Sequence, residues 1–593
     1  MESADLNRIT SSQRTQQQWA NCRTLTVTST CTALPAALFQ LTQLTALHLH
    51  QCNKLRSLPD ELGRLTSLTE LSVTACSALM SMPAALDRLT ALKRLNVSGN
   101  RRLGRLAPSS LSEMAALETL DLHNTSVAAL DDSISALVSL KTLNLSNTDV
   151  ARLPDALGQL RALKTLDLRN SAVTSLPEAL GGLTSLTTFN VSNCSIASLP
   201  QSIGSMRSLT ALRARATSLV SLPPSLQHLQ ALTEIDLGGS CLRTLPDALG
   251  VHAALRKLDL SQCRMVSLPE SVARLQSLTE LNLQNSSLRS LPESVCALAA
   301  LTKLNLSSTD IDTLPESLGA LSALTELNLR DSCITALPQS IGLLRSLRVL
   351  NLASSSVRDL PESLGELSAL ETLVLSDSDI VDLPVSLPVG RLSSLKTLSL
   401  INSSVTVLPE PAGRLQSLTS LNINKSSVTQ LSQSLGGLRS LTTLSMRSSN
   451  VRELPEVLGL LGQLTSLDIS SSEVMALPYA IGRLESLTKL NLSDCDIAEL
   501  PSTLGKLKSL TCLNLSRSAV TSLPDSLCRL ELLSTLDLTE CTELSSVPDA
   551  VLAVPALTTL RTTGCSAAVR ARAQQRATIA APKIGQWDIL LVL

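Results

Sequence analysis

Aromatic side chains are almost missing from this chain, whose 593 residues include two Phe, two Trp and one Tyr. Protein interfaces draw much of their binding energy from Trp, Tyr and Arg side chains. A small and tight epitope is therefore disfavoured. We expect any binding to be spread over many weak polar contacts.

Motifs that carry catalytic chemistry are missing as well. The chain has no glycine-rich phosphate loop, no His-Glu-x-x-His, no Cys-x-x-Cys and no Gly-x-Ser-x-Gly, and its five histidines are scattered. His48 and His50 project to one side, but Cys52 falls on an inward position, so these three groups do not converge as metal ligands must. We expect no enzymatic activity, no cofactor and no metal.

Charge of one sign and long apolar runs are also absent. The 49 basic residues balance 50 acidic ones, and nothing resembles the basic stripe of a nucleic-acid-binding protein. The first 20 residues are polar and Gln-rich, unlike a signal peptide, and no apolar run reaches the 18 residues of a membrane span. An intracellular, cytoplasmic location is predicted, with no nucleic acid and no membrane span.

What the chain has is a 23-residue repeat, shown at its clearest by Leu163–Leu183, LKTLDLRNSAVTSLPEALGGL. Its Leu-Pro step recurs from Pro35 to Pro548, with Asp131 and Ser432 as substitutes for the proline. Such a period indicates a stacked array, in which one unit cannot bury its apolar side alone. We predict an array of about 23–24 repeats over residues 22–565, a polar N-terminal segment or cap over 1–21, and a C-terminal cap or tail over 566–593.

Each repeat predicts a strand and then a short turn of helix. Leu166 and Leu168 alternate with Asp167 and Arg169, which is the period of a strand with one wet face. The proline suits the first turn of a short helical or 3-10 segment, and an acid often follows it, at the positive end of that turn. The residues Asp155, Glu178, Glu270 and Glu316 are therefore interpreted as helix-start residues. Glycine four residues beyond the proline predicts a left-handed cap, as at Gly158, Gly181, Gly204, Gly319 and Gly505.

The repeat resembles the leucine-rich repeat signature, Leu-x-x-Leu-x-Leu-x-x-(Asn/Ser/Thr/Cys)-x-(Leu/Val/Ile)-x-x-Leu-Pro, over more than nine tenths of the chain. The resemblance implies an α/β solenoid, a horseshoe with a parallel β-sheet on its concave face and short helical or 3-10 turns on its convex face. The Leu-Pro-x-x-Leu-Gly-x-Leu form is similar to intracellular Ras-group leucine-rich repeat proteins, to plant immune-receptor repeat regions and to bacterial effectors. No nucleotide-binding domain precedes the array and no ligase domain follows it, so a full immune receptor or an effector ligase is disfavoured.

Half of the fourteen cysteines fall on one repeat position, the slot that the family reserves for asparagine: Cys52, Cys76, Cys194, Cys263, Cys495, Cys541 and Cys565. Asn100 keeps Asn there, and most other repeats use Ser or Thr. We interpret these cysteines as small buried thiols in a weak hydrogen-bonding ladder. The spacing of neighbouring strands allows a Cys52–Cys76 or Cys541–Cys565 disulfide, which we disfavour because the cysteine-framed caps of secreted relatives are not evident.

The concave face is the candidate binding surface. Sixteen repeats carry Asn or Asp between the two strand leucines, among them Asp236, Asp259, Asn282, Asn305 and Asn328. Two interpretations stay open: a polar docking strip, or a solvated residue copied by duplication. One column earlier, the repeats alternate in charge through Glu234, Lys257, Glu280, Lys303 and Glu326, which predicts ion pairs across the strands.

The most irregular patch on this face is Leu212–Ala216, in which Arg213 and Arg215 point the same way. Two guanidinium groups suit the bidentate capture of a carboxylate or phosphate. The alternative, which we favour, is a salt bridge from Arg213 to Asp236 on the next strand. The tail that contains Arg570, Arg572, Arg576 and Lys583 either docks on an acidic surface or closes the last repeat. The irregular stretch Pro384–Gly390 has no assigned task.

Together these features predict a monomeric, non-enzymatic scaffold that binds partner proteins of unknown identity on its concave sheet, in intracellular signalling. The alternatives are a pathogen effector that binds a host protein, a structural array without a fixed partner, and the recognition region of an immune-receptor-like protein.

Overall fold

The structure is a computed structural model that describes residues 22–28, 32–104, 106, 111–384, 392–408 and 413–580. The chain divides into two compact units, residues 1–288 and residues 289–593. Both units are built from one block, in which a short strand leads through a turn into a 3-10 helix.

Within its described residues the first unit contains twelve strands, and neighbours along the chain pair in parallel. The strands are β1 (Thr24–Val27), β2 (Ala46–His50), β3 (Glu70–Thr74), β4 (Arg94–Asn96), β5 (Thr119–Asp121), β6 (Thr142–Asn144), β7 (Thr165–Asp167), β8 (Thr188–Asn190), β9 (Ala211–Arg213), β10 (Glu234–Asp236), β11 (Lys257–Asp259) and β12 (Glu280–Asn282). The 3-10 helices are Ala36–Gln40, Asp60–Arg64, Ala84–Arg88, Asp132–Ala136, Asp155–Gln159, Glu178–Gly182, Gln201–Ser205, Pro224–His228, Asp247–Val251 and Glu270–Arg274.

The second unit repeats this arrangement, again with parallel pairing of neighbours. Its strands are β13 (Lys303–Asn305), β14 (Glu326–Asn328), β15 (Val349–Asn351), β16 (Thr372–Val374), β17 (Thr397–Ser399), β18 (Ser420–Asn422), β19 (Thr443–Ser445), β20 (Ser466–Asp468), β21 (Lys489–Asn491), β22 (Cys512–Asn514), β23 (Thr535–Asp537) and β24 (Thr559–Arg561). The 3-10 helices are Glu293–Ala297, Glu316–Ala320, Gln339–Leu343, Glu362–Glu366, Gln433–Gly437, Glu456–Leu460, Tyr479–Arg483, Ser502–Lys506 and Asp525–Arg529, followed by α1 (Asp549–Leu552) and α2 (Ala567–Ala580).

The core of each unit lies between the sheet and the 3-10 helices. Leu166 and Leu168 are fully buried, while Thr165 and Asp167 on the other side of the strand are half-buried. In-register pairing brings equivalent positions together, as in Leu166 with Phe189. The predicted α/β solenoid, with a parallel sheet on one side and 3-10 turns on the other, is confirmed.

The Leu-Pro step begins each 3-10 helix, and the proline stands one residue before the helix rather than inside it. Pro177 has φ −72° and ψ 149°, and Glu178 is the first helical residue, so the acids do occupy the helix start. Where proline is replaced, the substitute side chain caps the helix. Asp131 accepts the N–H of Ser133 at 3.0 Å, and Ser432 accepts that of Ser434, also at 3.0 Å.

The carboxylate after the proline reaches the next repeat as well. Glu178 accepts the backbone N–H groups of Gln201 at 3.0 Å and Ser202 at 2.8 Å, which begin the following 3-10 helix. These hydrogen bonds, that of Ser202 above all, hold the pKa of Glu178 below its usual value. The acid therefore ties two repeats together, in addition to its predicted place at the helix start.

The prediction of left-handed glycine caps is wrong. Gly158, Gly181, Gly204, Gly319 and Gly505 lie within the 3-10 helices and none has a positive φ. Glycine is needed there because the next repeat approaches so closely: a Cβ on Gly158 would lie 2.0 Å from the Ala179 carbonyl oxygen, and one on Gly505 would lie 2.2 Å from that of Ser526. The left-handed residue is instead the one before the asparagine slot, such as Asn170 with φ 55°.

The hydrogen-bonding ladder predicted at the asparagine slot is confirmed. Asn100 donates to the carbonyls of Val73 at 2.7 Å and Val97 at 2.6 Å. The Cys194 and Cys541 thiols each donate to the backbone carbonyl of the second strand leucine of the preceding repeat, at 3.1 and 2.9 Å. All seven cysteines of this column are buried thiols, as the pattern predicts.

A second ladder, which the sequence reading missed, runs along the entrance of the strands. Thr442, Thr465, Thr488 and Thr511 each donate a hydroxyl hydrogen bond to the carbonyl of the threonine one repeat earlier, at 2.9–3.0 Å. These bonds add to the strand pairing and explain why a hydroxyl side chain recurs at this exposed-side position.

The described part of the C-terminal tail is helix α2. Val569 and Ala573 on α2 are buried, and Arg572 donates to the Asp549 carboxylate of α1 at 2.9 Å. These contacts place the start of the tail against the last repeat. The segment 1–21, residues 385–390 of the irregular stretch, the side chain of Arg576, and residues 581–593 with Lys583 lie outside the described residues.

Candidate protein-binding surface

The sheet face is the surface formed by strand residues that alternate with the buried core leucines. It has three columns, exemplified on β7 and beyond its end by Thr165 (first), Asp167 (second) and Arg169 (third). This is the side that the resemblance predicts to be concave. Its side chains are half-buried or exposed in most repeats, so they are available to one another and to a partner.

The Asn and Asp residues of the second column have a structural task. Each of the sixteen accepts the backbone N–H of the third-column residue two positions later, at 2.8–3.2 Å: Asn96, Asp121, Asn144, Asp167, Asn190, Asp236, Asp259, Asn282, Asn305, Asn328, Asn351, Asn422, Asp468, Asn491, Asn514 and Asp537. The side chain thus satisfies an N–H at the point where each strand ends and the backbone turns. The column therefore has a structural task, and its use as a docking strip stays a prediction.

Two repeats without Asn or Asp in this column satisfy the same N–H from the neighbouring repeat. Arg213 stands in the second column, and the N–H of Arg215 bonds to Ser192 Oγ at 3.3 Å. Ser445 stands there on β19, and the N–H of Arg447 bonds to Asn424 Oδ1 at 2.7 Å. In these two repeats the acceptor at the strand end comes from the preceding repeat.

Arg213 pairs with Glu234, and the predicted salt bridge from Arg213 to Asp236 is wrong. Its Nε and Nη2 donate to the two carboxylate oxygens of Glu234 at 2.9 and 3.0 Å. Asp236 lies opposite Arg213 in register, but its Oδ1 is turned to the N–H of Gly238. The hydrogen bond from Arg213 is the main reason that the pKa of Glu234 is lowered.

Arg215 crosses β10 and reaches β11. Its Nη1 lies 3.9 Å from Asp236 Oδ1, 3.5 Å from Asp259 Oδ2 and 3.4 Å from Ser261 Oγ. Gly238 makes this possible, because a Cβ there would stand 2.7 Å from that Nη1 atom. Burial, together with the nearby Asp259 carboxylate, raises the pKa of Asp236. Both guanidinium groups are thus engaged within the protein, which disfavours the capture of a carboxylate or phosphate by the pair.

The alternating charges of the first column form ion pairs within each unit. Lys257 lies 3.0 Å from Glu280, and Lys303 lies 3.2 Å from Glu326. Glu234, which faces Lys257 in register, is the exception because Arg213 holds its carboxylate. These pairs are exposed to solvent, so each is worth little to stability.

Residues 106–238 and 456–577 match the family described as leucine-rich repeat region, and residues 253–311 match leucine rich repeat. The chain is a leucine-rich repeat protein. No curated protein sequence matches it.

Solved structures agree with this assignment. A leucine-rich repeat protein of Leptospira interrogans is 28% identical to this leucine-rich repeat protein, with a TM-score of 0.57 over 67% of this chain and 94% of that one. The plant peptide hormone receptor RGFR1, in complex with RGF2, has a TM-score of 0.60 at 23% identity, over 92% and 90%. The Arabidopsis receptor kinase HAESA, in complex with the peptide hormone IDA and the co-receptor SERK1, has a TM-score of 0.55 at 24% identity, over 84% and 86%. The two plant receptors show a shared fold.

The leucine-rich repeat sheet of the second unit has a run of four successive strands without charge, which the sequence reading missed. This uncharged patch consists of the three columns of β15 to β18: Val349, Asn351, Ala353, Thr372, Val374, Ser376, Thr397, Ser399, Ile401, Ser420, Asn422 and Asn424. None of these residues is fully exposed, and Val349, Val374 and Ile401 are half-buried aliphatic side chains on the sheet face. Reading the three columns together, rather than one at a time, would have found it.

A charged triad borders the uncharged patch where its strands begin. Arg348 Nη1 and Lys396 Nζ contact the two carboxylate oxygens of Glu371 at 2.6 and 2.7 Å. Hydrogen bonds from these two cations, that from Lys396 first, lower the pKa of Glu371. Two cations share one anion, so this border carries a net positive charge.

The two histidines of β2 and Cys52 do not converge on one point. His50 Nδ1 lies 2.9 Å from Thr74 Oγ1, and the Cys52 side chain is fully buried in the core. Across the described ranges, no three His, Cys, Asp or Glu side chains cluster as metal ligands would. The same ranges hold no helix with the length and apolar character that crossing a bilayer requires.

Proposed function

We propose that this leucine-rich repeat protein is a non-enzymatic interaction module that binds a protein or peptide partner on its sheet face, with the uncharged patch of β15 to β18 as the main contact. The observation that carries the proposal is the contrast between this patch and the charged sheet face of β9 to β12. The charged side chains of β9 to β12 form ion pairs with one another. The side chains of the patch form few hydrogen bonds apart from those to the backbone N–H at the end of their own strand.

Desolvation favours contact at the patch. Covering an ion pair removes water from two charges, and their mutual attraction repays that cost only in part. Covering Val349, Val374 and Ile401 releases water from apolar surface, which favours binding by about 25 cal/mol per Å². The hydroxyl and amide groups around them supply hydrogen bonds that give the contact direction.

The shared fold supports a peptide as the partner. RGFR1 and HAESA, which share this fold, were solved in complex with peptide ligands. From them the proposal takes only that a leucine-rich repeat sheet can hold a peptide, because their identity to this chain is too low to transfer a site. The partner, the pathway and any signalling role stay open.

An intracellular, reducing location is part of the proposal. Cys194, Cys263, Cys495 and Cys541 donate thiol hydrogen bonds to backbone carbonyls, and a disulfide would abolish those donors. Burial raises the pKa of the Cys263, Cys495 and Cys541 thiols, which keeps them protonated as donors. Reducing compartments preserve thiols in this state.

A displayed library of random 16-residue peptides, selected on the immobilised full chain, tests the proposal. We expect the selected peptides to lose at least about tenfold in affinity when Thr372 in the patch is changed to Lys, a loss of about 1.4 kcal/mol. Thr142→Lys is the matched control, because Thr142 holds the same first-column position on β6 in the first unit. Equal losses in both variants, or no saturable peptide at all, would contradict the proposal.

A further inference from the structure

His252 occupies a position that is otherwise part of the apolar core. It follows the 3-10 helix Asp247–Val251, where the equivalent residues of other repeats are Leu229, Leu275 and Met206. Its side chain is fully buried. A titratable ring therefore stands in the place of a core leucine, and this repeat of the first unit differs from its neighbours in that respect.

The contacts of the ring define its protonation state. Nδ1 lies 3.1 Å from the Leu229 carbonyl oxygen, which can only accept, so Nδ1 carries the hydrogen and donates. Nε2 is buried and has no hydrogen-bond partner in the part of the chain that the structure describes. A proton added at Nε2 would create an N–H without an acceptor and a positive charge among leucines.

Charged groups on the surrounding elements offer no compensation. The titratable and charged residues of the elements that pack around the ring are Asp247, His228, Glu270 and Arg274 on the adjoining 3-10 helices, and Glu234, Asp236, Lys257 and Asp259 on β10 and β11. The four helix residues are exposed, and the four strand residues project onto the sheet face, away from the core. Burial lowers the pKa of His252 from its ordinary value of 6.5, and the Leu229 hydrogen bond opposes that shift only in part.

The sign of the pH dependence follows from this shift. The unfolded repeat binds the proton more readily than the folded one, so stability is complete above about pH 6.5 and falls as the pH drops from there towards the folded pKa. The ring also sits at a junction of the backbone. The His252 N–H donates to Leu249 at 3.2 Å and the Leu255 N–H donates to the His252 carbonyl at 3.0 Å, which connects the 3-10 helix to β11.

We propose that His252 makes its repeat an acid-sensitive joint: proton uptake at Nε2 opens residues 246–260 while the more distant repeats of the first unit stay folded. Repeat arrays permit this behaviour, because each repeat contacts only its neighbours and can open locally. The opened segment includes β11, so acid would also release the contacts of Lys257 and Asp259 with neighbouring strands.

Hydrogen exchange of the full chain, measured between pH 7.5 and pH 5 and corrected for intrinsic rates, tests the proposal. For peptides within residues 246–260, we expect the opening equilibrium to rise by up to about tenfold per pH unit below pH 6.5. His252→Met, which adopts the residue that Met206 provides in another repeat, should remove this dependence. His228→Gln, at an exposed histidine one repeat earlier, should leave it unchanged.

Two results would overturn the proposal: a pH dependence that persists in His252→Met, or one that disappears in His228→Gln. A direct titration covers the case in which His252→Met does not fold. In NMR spectra of the wild-type chain with labelled histidine, the His252 ring should remain neutral until protection of residues 246–260 is lost. A ring that titrates near pH 6.5 with protection intact would exclude the joint.

Discussion

The sheet faces of the two units carry different kinds of residue in the same three columns. On β9 to β12 of the first unit, Arg213, Arg215 and Lys257 form ion pairs with neighbouring carboxylates, so most charges on this surface are paired. On β15 to β18 of the second unit, the same positions carry Ser, Thr, Asn and aliphatic residues without charge. The comparison teaches that a regular backbone does not dictate one surface: the same columns carry ion pairs on one sheet face and uncharged side chains on the other.

The largest effect on stability is expected in the 3-10 helices, which lie on the side of each unit opposite the sheet face. The two units should respond alike there. Gly158→Ala in the first unit and Gly505→Ala in the second each force a Cβ within 2.0–2.2 Å of a carbonyl oxygen of the next repeat. Relief requires a backbone shift, and we expect each variant to lose about 1–3 kcal/mol of unfolding free energy. Urea unfolding followed by circular dichroism measures the loss.

Gly462→Ala is the matched control for these variants. No atom lies within 4 Å of a Cβ at Gly462. Alanine there should leave stability unchanged or raise it slightly, by less than about 1 kcal/mol. Equal destabilisation by Gly462→Ala and Gly505→Ala would show that close approach of the repeats is not the reason for the glycine.

An effect of intermediate size on the unfolding free energy is expected in the second column, which is present on the sheet face of each unit. Asn144→Ala and Asn351→Ala remove the acceptors for the N–H groups of Ser146 and Ala353, at 3.1 and 3.0 Å. Each should cost about 1 kcal/mol in urea unfolding. Asn351→Asp keeps the acceptor oxygen and should cost less. Equal losses of unfolding free energy in Asn351→Asp and Asn351→Ala would contradict the assignment of this column to the strand-end hydrogen bond.

The smallest effects on stability are expected on the charged face of β9 to β12, where two carboxylates should differ in the sign of the change. The pKa of Glu234 is lowered in the folded protein, so its carboxylate stabilises at neutral pH and that contribution is lost as the pH falls through the lowered pKa. Glu234→Gln should therefore be less stable than wild type at pH 7, by a few tenths of a kcal/mol after solvent screening, and the difference should shrink as the pH falls through the lowered pKa.

Asp236 should show the opposite sign. Its pKa is raised, so the ionised carboxylate destabilises the folded state at neutral pH, and this penalty disappears as the pH falls below the unfolded value. Asp236→Asn keeps an acceptor for Gly238 and should be slightly more stable than wild type at pH 7, with no difference near pH 3. Thermal unfolding at the two pH values measures both variants. A shift of the same sign in both would contradict the assignment of charges on this face.

Much of the fold could be predicted from the repeat itself. The strand, the helix start at the acid and the buried polar ladder follow from local patterns such as Leu166, Leu168 and Glu178, because each repeat presents the same pattern to the same neighbours. The glycine caps were mispredicted because close packing between repeats, not local backbone conformation, excludes a Cβ at Gly158. Local pattern alone cannot reveal an atom that another repeat supplies.

The candidate site was less predictable. Register alone places Arg213 opposite Asp236, as the sequence suggests, but the guanidinium fork fits Glu234 better because Asp236 is held by the N–H of Gly238. The reach of Arg215 across β10 depends on the missing side chain of Gly238. Side-chain pairing is a competition among several neighbours, and a strand register describes only one of them.

The sequence by itself determined the repeating architecture, since a 23-residue apolar period has one economical way to bury its leucines: stacking. Only the tertiary structure decided which polar groups form hydrogen bonds and ion pairs with one another. The contact of Arg215 with Asp259 arises where separate repeats meet, and so does the burial of His252 Nε2, which has no hydrogen-bond partner among the described residues. Burial and hydrogen-bond geometry depend on three-dimensional neighbours, and a linear period does not specify them.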